Sequence, residues 1–261
     1  IVLENKEDCP RYAGITFDKV NVKESPQWLQ NRLKAIGVKP KNNIVDITQY
    51  VMFETGQPLH AFDAEKIIGK KVLVKNLPEG TPFITLDGNE IKLHKDDLMI
   101  CNTEDAMCMG GVYGGLDSGI TESTTAVFLE SAYFNPVTIR KTSRRHDLKT
   151  DASFRFERGC DPDNTVYALK RAANLIKELT GALVTSEIMD EYPVRIERPT
   201  ITLRYDEVDK MAGQKIEKQT VSAILLLLGM EIQTAGEEQL MVSVPLFKND
   251  VTRPVDLMEE I

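Results

Sequence analysis

The sequence predicts an α+β fold: a larger mixed-sheet domain over 1–195, then a small α+β module over 196–261. Three observations carry this expectation. Strand-like alternation and helix-like periodicity succeed one another in mixed order, without the regular alternation of βαβ units. The segment EYPVRIERP, 191–199, combines two prolines with charged residues and loses all periodicity, which marks it as the linker. A length of 261 residues also exceeds the commonest domain size of about 100–150 residues, which suits two unequal units.

The elements follow in order. Ser25-Pro26 before WLQNRLKAIG reads as a helix start, with Ser25 as cap and Pro26 at the first helical position. Trp28, Leu29, Leu33 and Ile36 form its apolar stripe, and Gly37 stops it. NIVDITQYVMFETG reads as a strand running into a helix, with Thr48 near the turn. KKVLVKNL is a strand, and FITLDGNEIKL a pair of strands folded about Asp87-Gly88. DLMICN is a short buried strand, MGGVYGGLDSG a glycine-rich turn, and TTAVFLESAYF a further strand. A helix opens at Pro136; after DLKTDAS, a long amphipathic helix spans 164–179 and ends at Thr180-Gly181. Beyond the linker come strand PTITLR, a polar helix start, helix QTVSAILLLLG, strand QLMVSVP and an acidic helix.

Composition excludes several classes. Hydrophobic residues at 42% and charged residues at 28% describe a globular chain rather than a disordered or fibrous one. The net charge of −8 rules out a globally basic nucleic-acid binder, so any contact with phosphate must come from a local patch. Cys9, Cys101, Cys108 and Cys160 show no metal-ligand spacing and are too few for a disulfide framework, which suggests a reducing cytoplasm. The longest apolar run, 223–228, is far short of the roughly 20 residues of a membrane span. A start without Met and an end inside a helical pattern suggest a piece of a longer protein.

NIVDITQYV, GQPLHAFD, GGVYGG, FLESAYF and TDASFRFERG together resemble the B3/B4 module of the bacterial phenylalanyl-tRNA synthetase β subunit. The tail, from PTITLR through LLLLGM to VPLFKNDVTRPVDLMEEI, is similar to the adjacent B5 module, in the family's order. The resemblance implies that the first domain edits: it hydrolyses tyrosine wrongly esterified to tRNA(Phe), while the α subunit catalyses aminoacylation. It also implies an α₂β₂ assembly and tRNA(Phe) as partner.

Phenylalanine and tyrosine differ by one para hydroxyl, and an editing pocket must select the residue that has it. A polar group built to bond that hydroxyl rejects the analogue lacking it by about 10⁴-fold, because the buried partner is left unpaired. Glu130, inside the apolar stretch FLESAYF, fits the role, and the resemblance places the tyrosine-hydroxyl contact there. Its ordinary alternative is a carboxylate that answers a local Arg or faces solvent. Gly114 matches the glycine that lies against the bound tyrosine, though a plain turn explains GGVYGG as well. His60 stands in an apolar setting and matches an editing-site position, so His60 and Glu130 are the expected catalytic residues. A histidine beside Pro and Ala is otherwise often a core residue. Thr48 and Gln49 match pocket positions too, although the family usually has Asn where Gln49 stands. Thr150 and Ala152 match the opposite wall, and the same stretch also reads as a loop and helix cap. No nucleophile elbow is present, which points to direct attack by water, with the tRNA ribose hydroxyl assisting.

From 139 to 159 there are seven basic residues against three acidic ones, a patch that either steers an acceptor end or forms internal salt bridges. In the tail, Asp256, Glu259 and Glu260 share one helical face, with Asp250 in the loop before it. Oxygen-only ligands suit Mg²⁺, and the resemblance implies a Mg²⁺ site here, near the interface with the α subunit. An acidic first turn favoured by the helix dipole is the other reading. A reading from another class is a non-catalytic tRNA- or protein-binding module on the same fold.

Overall fold

Alternating side chains in two strands far apart in sequence set the centre of the fold. The computed structural model describes residues 1–261, in two units, Ile1–Arg195 and Ile196–Ile261. The first unit begins with β1 (Val2–Leu3), β2 (Arg11–Asp18), α1 (Gln27–Ala35), α2 (Asn43–Thr55) and β3 (Leu59–Asp63). Short strands follow: β4 (Leu73–Asn76), β5 (Pro82–Ile84), β6 (Glu90–Lys92), β7 (Leu98–Cys101), β8 (Ala106–Met109) and β9 (Tyr113–Gly114). Then come β10 (Val127–Tyr133), α3 (Pro136–Arg145), α4 (Asp151–Phe156), α5 (Thr165–Thr180), β11 (Leu183–Val184) and β12 (Met189–Glu191).

The central sheet has the order β11-β2-β10-β3, with β12 also paired to β2, and a second sheet runs β1-β4-β7-β8-β9. Only β1–β4 is parallel, so the unit is mixed but largely antiparallel. Successive residues of a strand face opposite sides, and the central sheet uses both. Ala13, Ile15, Phe17, Ala61, Val127 and Leu129 pack with Leu29, Ile44, Ile47, Leu169 and Ile176 of α1, α2 and α5. Tyr12, Phe62, Phe128 and Ala132 pack on the other side, with Met99, Met107 and Phe156. Glu130 falls on this second face, by the alternation along β10.

Several local expectations change. α1 begins at Gln27 with Pro26 at the cap position. Ser25 donates its hydroxyl to buried Asp46 at 2.5 Å instead of capping α1. Leu29 and Leu33 are buried, but Trp28 and Ile36 are exposed, and Trp28 meets Tyr50 edge-on. The stretch read as strand-then-helix is helix throughout, because the Asn42 side chain accepts from the Ile44 and Val45 amides and starts α2 there. Thr48 therefore lies in mid-helix. β1, β2, β3, β11 and β12, and a strand over 231–235 in the second unit, are among the elements not foreseen.

The second unit contains β13 (Thr200–Arg204), α6 (Tyr205–Ala212), α7 (Lys218–Leu227), β14 (Glu231–Ala235), β15 (Gln239–Ser243) and α8 (Pro254–Glu259). Its sheet order is β13-β15-β14. Leu203, Val221, Leu225, Leu240, Val242 and Leu257 form its own core. No helix of the chain is long and apolar enough to cross a membrane.

Candidate functional site

The middle of β10 carries an acid where the pattern calls for an apolar residue. Glu130 is 5% exposed, and a lone carboxylate at such depth is expensive unless it finds hydrogen bonds or a proton. It finds both. The Tyr12 hydroxyl donates to Glu130 Oε2 at 2.5 Å. Burial pushes the carboxyl pKa up to about 7, the bond from Tyr12 opposing that rise. Neither ordinary alternative holds: the carboxylate meets no arginine and does not face solvent.

In the antiparallel register Glu130 pairs with Gly14 on β2 and with His60 on β3. The His60 ring lies edge-on to Phe62, with centroids 4.4 Å apart. Burial lowers its pKa to about 4, so it is neutral at physiological pH. Its Nε2 is buried with no hydrogen-bond partner. Such a group is held at a cost of about 1–3 kcal/mol.

A cleft of about 70 Å³ opens beside these two residues, its walls including Cys108, Gly114, Ala152 and Phe156. The turn between β8 and β9 needs glycine twice over. Gly111 has φ +68°, and a Cβ there would come within 2.8 Å of Phe134. A Cβ on Gly114 would sit 3.3 Å from His60 Cε1. Thr150 does not line the cleft but holds its wall in place. Its oxygen accepts from the Ser153 amide at 3.0 Å, capping α4, while its hydroxyl donates to the Val112 carbonyl at 3.1 Å. The cap thereby ties the helix bearing Ala152 to the glycine turn.

The structure thus brings Glu130, His60, Gly114 and Ala152 together, with Thr150 in support. Thr48 and Gln49 do not line this cleft. The Thr48 hydroxyl is committed to the Val45 carbonyl at 2.7 Å, and α2 applies Ile44, Ile47 and Val51 to the helix-covered core. Cys108 and Phe156 on the cleft wall and, behind Glu130, Tyr12 are among the residues that were not foreseen. Alternation along RYAGITFD was the available signal for Tyr12. Two larger clefts of the first unit, of about 490 and 410 Å³, contain none of the expected residues; a third, of about 470 Å³ in the second unit, is lined by Glu259, and none of the three holds a buried polar atom lacking a partner.

The acidic tail is held largely by partners of its own. Asp256 receives the Arg253 guanidinium at 2.7 Å and the Thr252 and Arg253 amides, which hold its pKa well below the usual carboxylate range. Glu260 is paired with Lys248 at 2.8 Å, and Asp250 and Glu259 are exposed. No three His, Cys, Asp or Glu residues converge on a point that could hold a metal ion. The donor set as folded does not fit Mg²⁺, because its best-placed member is a helix cap.

The basic segment divides between the two readings. Arg145, Lys149, Arg155 and Arg158 face Asp97, Asp147, Asp151 and Glu157 respectively. Arg140 donates to the Glu157 carbonyl at 2.6 Å. Lys141 and Arg144 are exposed with no ion pair.

Comparison with known proteins matches residues 8–181 to the B3/4 domain family and residues 201–261 to the tRNA synthetase B5 domain. The phenylalanine–tRNA ligase β subunit of Bacteroides fragilis is 54% identical over the whole chain, which spans 32% of that relative. The same subunit of Salinibacter ruber is 43% identical over 99% of the chain and 31% of its own length. The chain therefore spans about a third of the curated relatives it matches. A crystal structure of an N-terminal fragment of the phenylalanyl-tRNA synthetase β subunit from Pyrococcus horikoshii aligns with TM-score 0.47 and 12% identity, over 99% of this chain and 72% of that one.

Proposed function

Because the chain belongs to the B3/4 domain family and carries a B5 domain behind that module, we propose that it is the editing portion of a phenylalanine–tRNA ligase β subunit. Its reaction is hydrolysis of the ester in mischarged Tyr-tRNA(Phe), in the cleft at Glu130. Aminoacylation falls to an α subunit, in an α₂β₂ assembly acting in the cytoplasm, a compartment that suits four free, buried cysteines. Mg²⁺ has no part in the hydrolysis.

The observation that supports the reading is a buried carboxylate with no cation opposite it, at the edge of a small cleft. An ionised carboxylate accepts the phenol hydrogen of tyrosine. A phenylalanine ring in the same place leaves that acceptor unpaired. Gly114 and Ala152 leave room for the ring. Neutral His60, on the wall of the cleft, helps to place the attacking water, with the ribose hydroxyl of the tRNA. Water adds at the ester carbonyl, the bond to the ribose oxygen breaks with a proton returned to that oxygen, and tyrosine and tRNA(Phe) leave.

The test uses the complete enzyme, with wild-type β or Glu130→Ala, on Tyr-tRNA(Phe). The variant should clear it about a hundredfold more slowly, with phenylalanine charging intact. Equal clearance by both would make Glu130 structural. Clearance by neither would leave a non-catalytic tRNA- or protein-binding module.

A further inference from the structure

The inference rests on the reading of Glu130 as the group that recognises a hydroxyl, and it concerns what makes that carboxylate selective. A carboxylate has two equivalent oxygens with about four lone-pair directions and a soft terminal torsion. Left alone at a cleft, it accepts donors from many directions and discriminates poorly. Here one oxygen is taken: Tyr12, fully buried on β2, donates to Oε2 at 2.5 Å. Oε1 makes no hydrogen bond, yet it is not among the sealed, unpartnered polar atoms, which are Gln57 Oε1 and His60 Nε2. Glu130 lines the cleft, so Oε1 is the oxygen left for a visitor.

The sheet explains why Tyr12 supplies the bond. Gly14, directly opposite Glu130, has no side chain, and Tyr12 is opposite Ala132, two residues along β10. Tyr12 is thus the diagonal neighbour, a position an aromatic side chain spans. The space over Gly14 is filled by Phe128, whose ring would lie 2.3 Å from a Cβ there.

We propose that Tyr12 is the positioning residue of the site: its hydroxyl holds Glu130 Oε2 away from the cleft, so that a single oxygen, in one orientation, meets the ligand hydroxyl. Tyr12 comes from β2, His60 from β3, Cys108 from β8 and Cys9 from the segment before β2. None is a cation: burial keeps the two thiols and the phenol protonated and the imidazole neutral. The Tyr12 hydroxyl is therefore the one side-chain donor that favours the ionised carboxylate, and its loss moves ionisation to higher pH.

The experiment compares wild type, Tyr12→Phe, Glu130→Gln and the double variant in the complete enzyme, following hydrolysis of Tyr-tRNA(Phe) and Phe-tRNA(Phe) against pH. Tyr12→Phe should lower the ratio of kcat/KM for the two esters about tenfold and move the acid limb upward. In the Glu130→Gln background it should add nothing. A fluorinated tyrosine at position 12, a stronger donor with the same packing, should move the limb downward, which covers any misfolding of Tyr12→Phe. If wild type edits and Glu130→Gln abolishes discrimination, yet Tyr12→Phe and the fluorinated residue leave ratio and limb unchanged, this inference alone is overturned. If Glu130→Gln discriminates as wild type does, the underlying reading falls with it.

Discussion

Glu130 and His60 face each other across two strands, and their protonation pulls stability in opposite directions. Glu130 is easier to protonate folded, with a pKa near 7 against an ordinary 4.5. Its contribution is complete below about pH 4.5 and is lost as pH rises through 7. His60 is harder to protonate folded, near 4 against 6.5, so its contribution is complete above about pH 6.5 and is lost as pH falls toward 4. Glu130→Gln removes only the first effect. Denaturant unfolding should find it stabilised relative to wild type by up to roughly 3 kcal/mol more at pH 8 than at pH 4.5. An identical difference at both pH values would contradict a buried carboxyl of raised pKa. Glu130 was legible in the sequence because an acid interrupts an apolar strand. Tyr12 was not, because a tyrosine suits any half-buried strand and its partner is 118 residues away.

Elements place these groups, and α4 shows how. One threonine hydroxyl caps the helix and bonds the Val112 carbonyl of the glycine turn, so helix and turn form one wall. Thr150→Ala should cost about 1 kcal/mol of stability and raise KM for the tyrosyl ester more than it lowers kcat. Thr150→Ser should restore both. An unchanged KM in the alanine variant would show that the cap does not position the wall. α2 was misread at this scale: Ile, Val, Thr and Tyr favour strands, and the Asn42 cap together with buried Ile44, Ile47 and Val51 outweighs that preference. The acidic tail shows a related effect. Three carboxylates on one helix face look alike in sequence, but Arg253 and Lys248 engage two of them.

At the scale of the whole molecule, one sheet separates two jobs. One face anchors α1, α2 and α5 through a largely apolar contact, with one hydrogen bond from the Ser131 hydroxyl to the Thr165 carbonyl of α5; the other meets the second sheet and holds the acid. Periodicity shows that such a sheet exists but not which strands adjoin, since β2, β10 and β3 meet across gaps of more than sixty residues. That adjacency makes the site, and it was reachable only through the family's motifs. The direct measurement is the ratio of kcat/KM for hydrolysis of Tyr-tRNA(Phe) over Phe-tRNA(Phe), in the complete enzyme with wild-type β and with Glu130→Gln, at pH 8. If Glu130 reads the hydroxyl, the ratio falls by about a hundredfold or more in the variant. A ratio preserved in the variant would contradict the account.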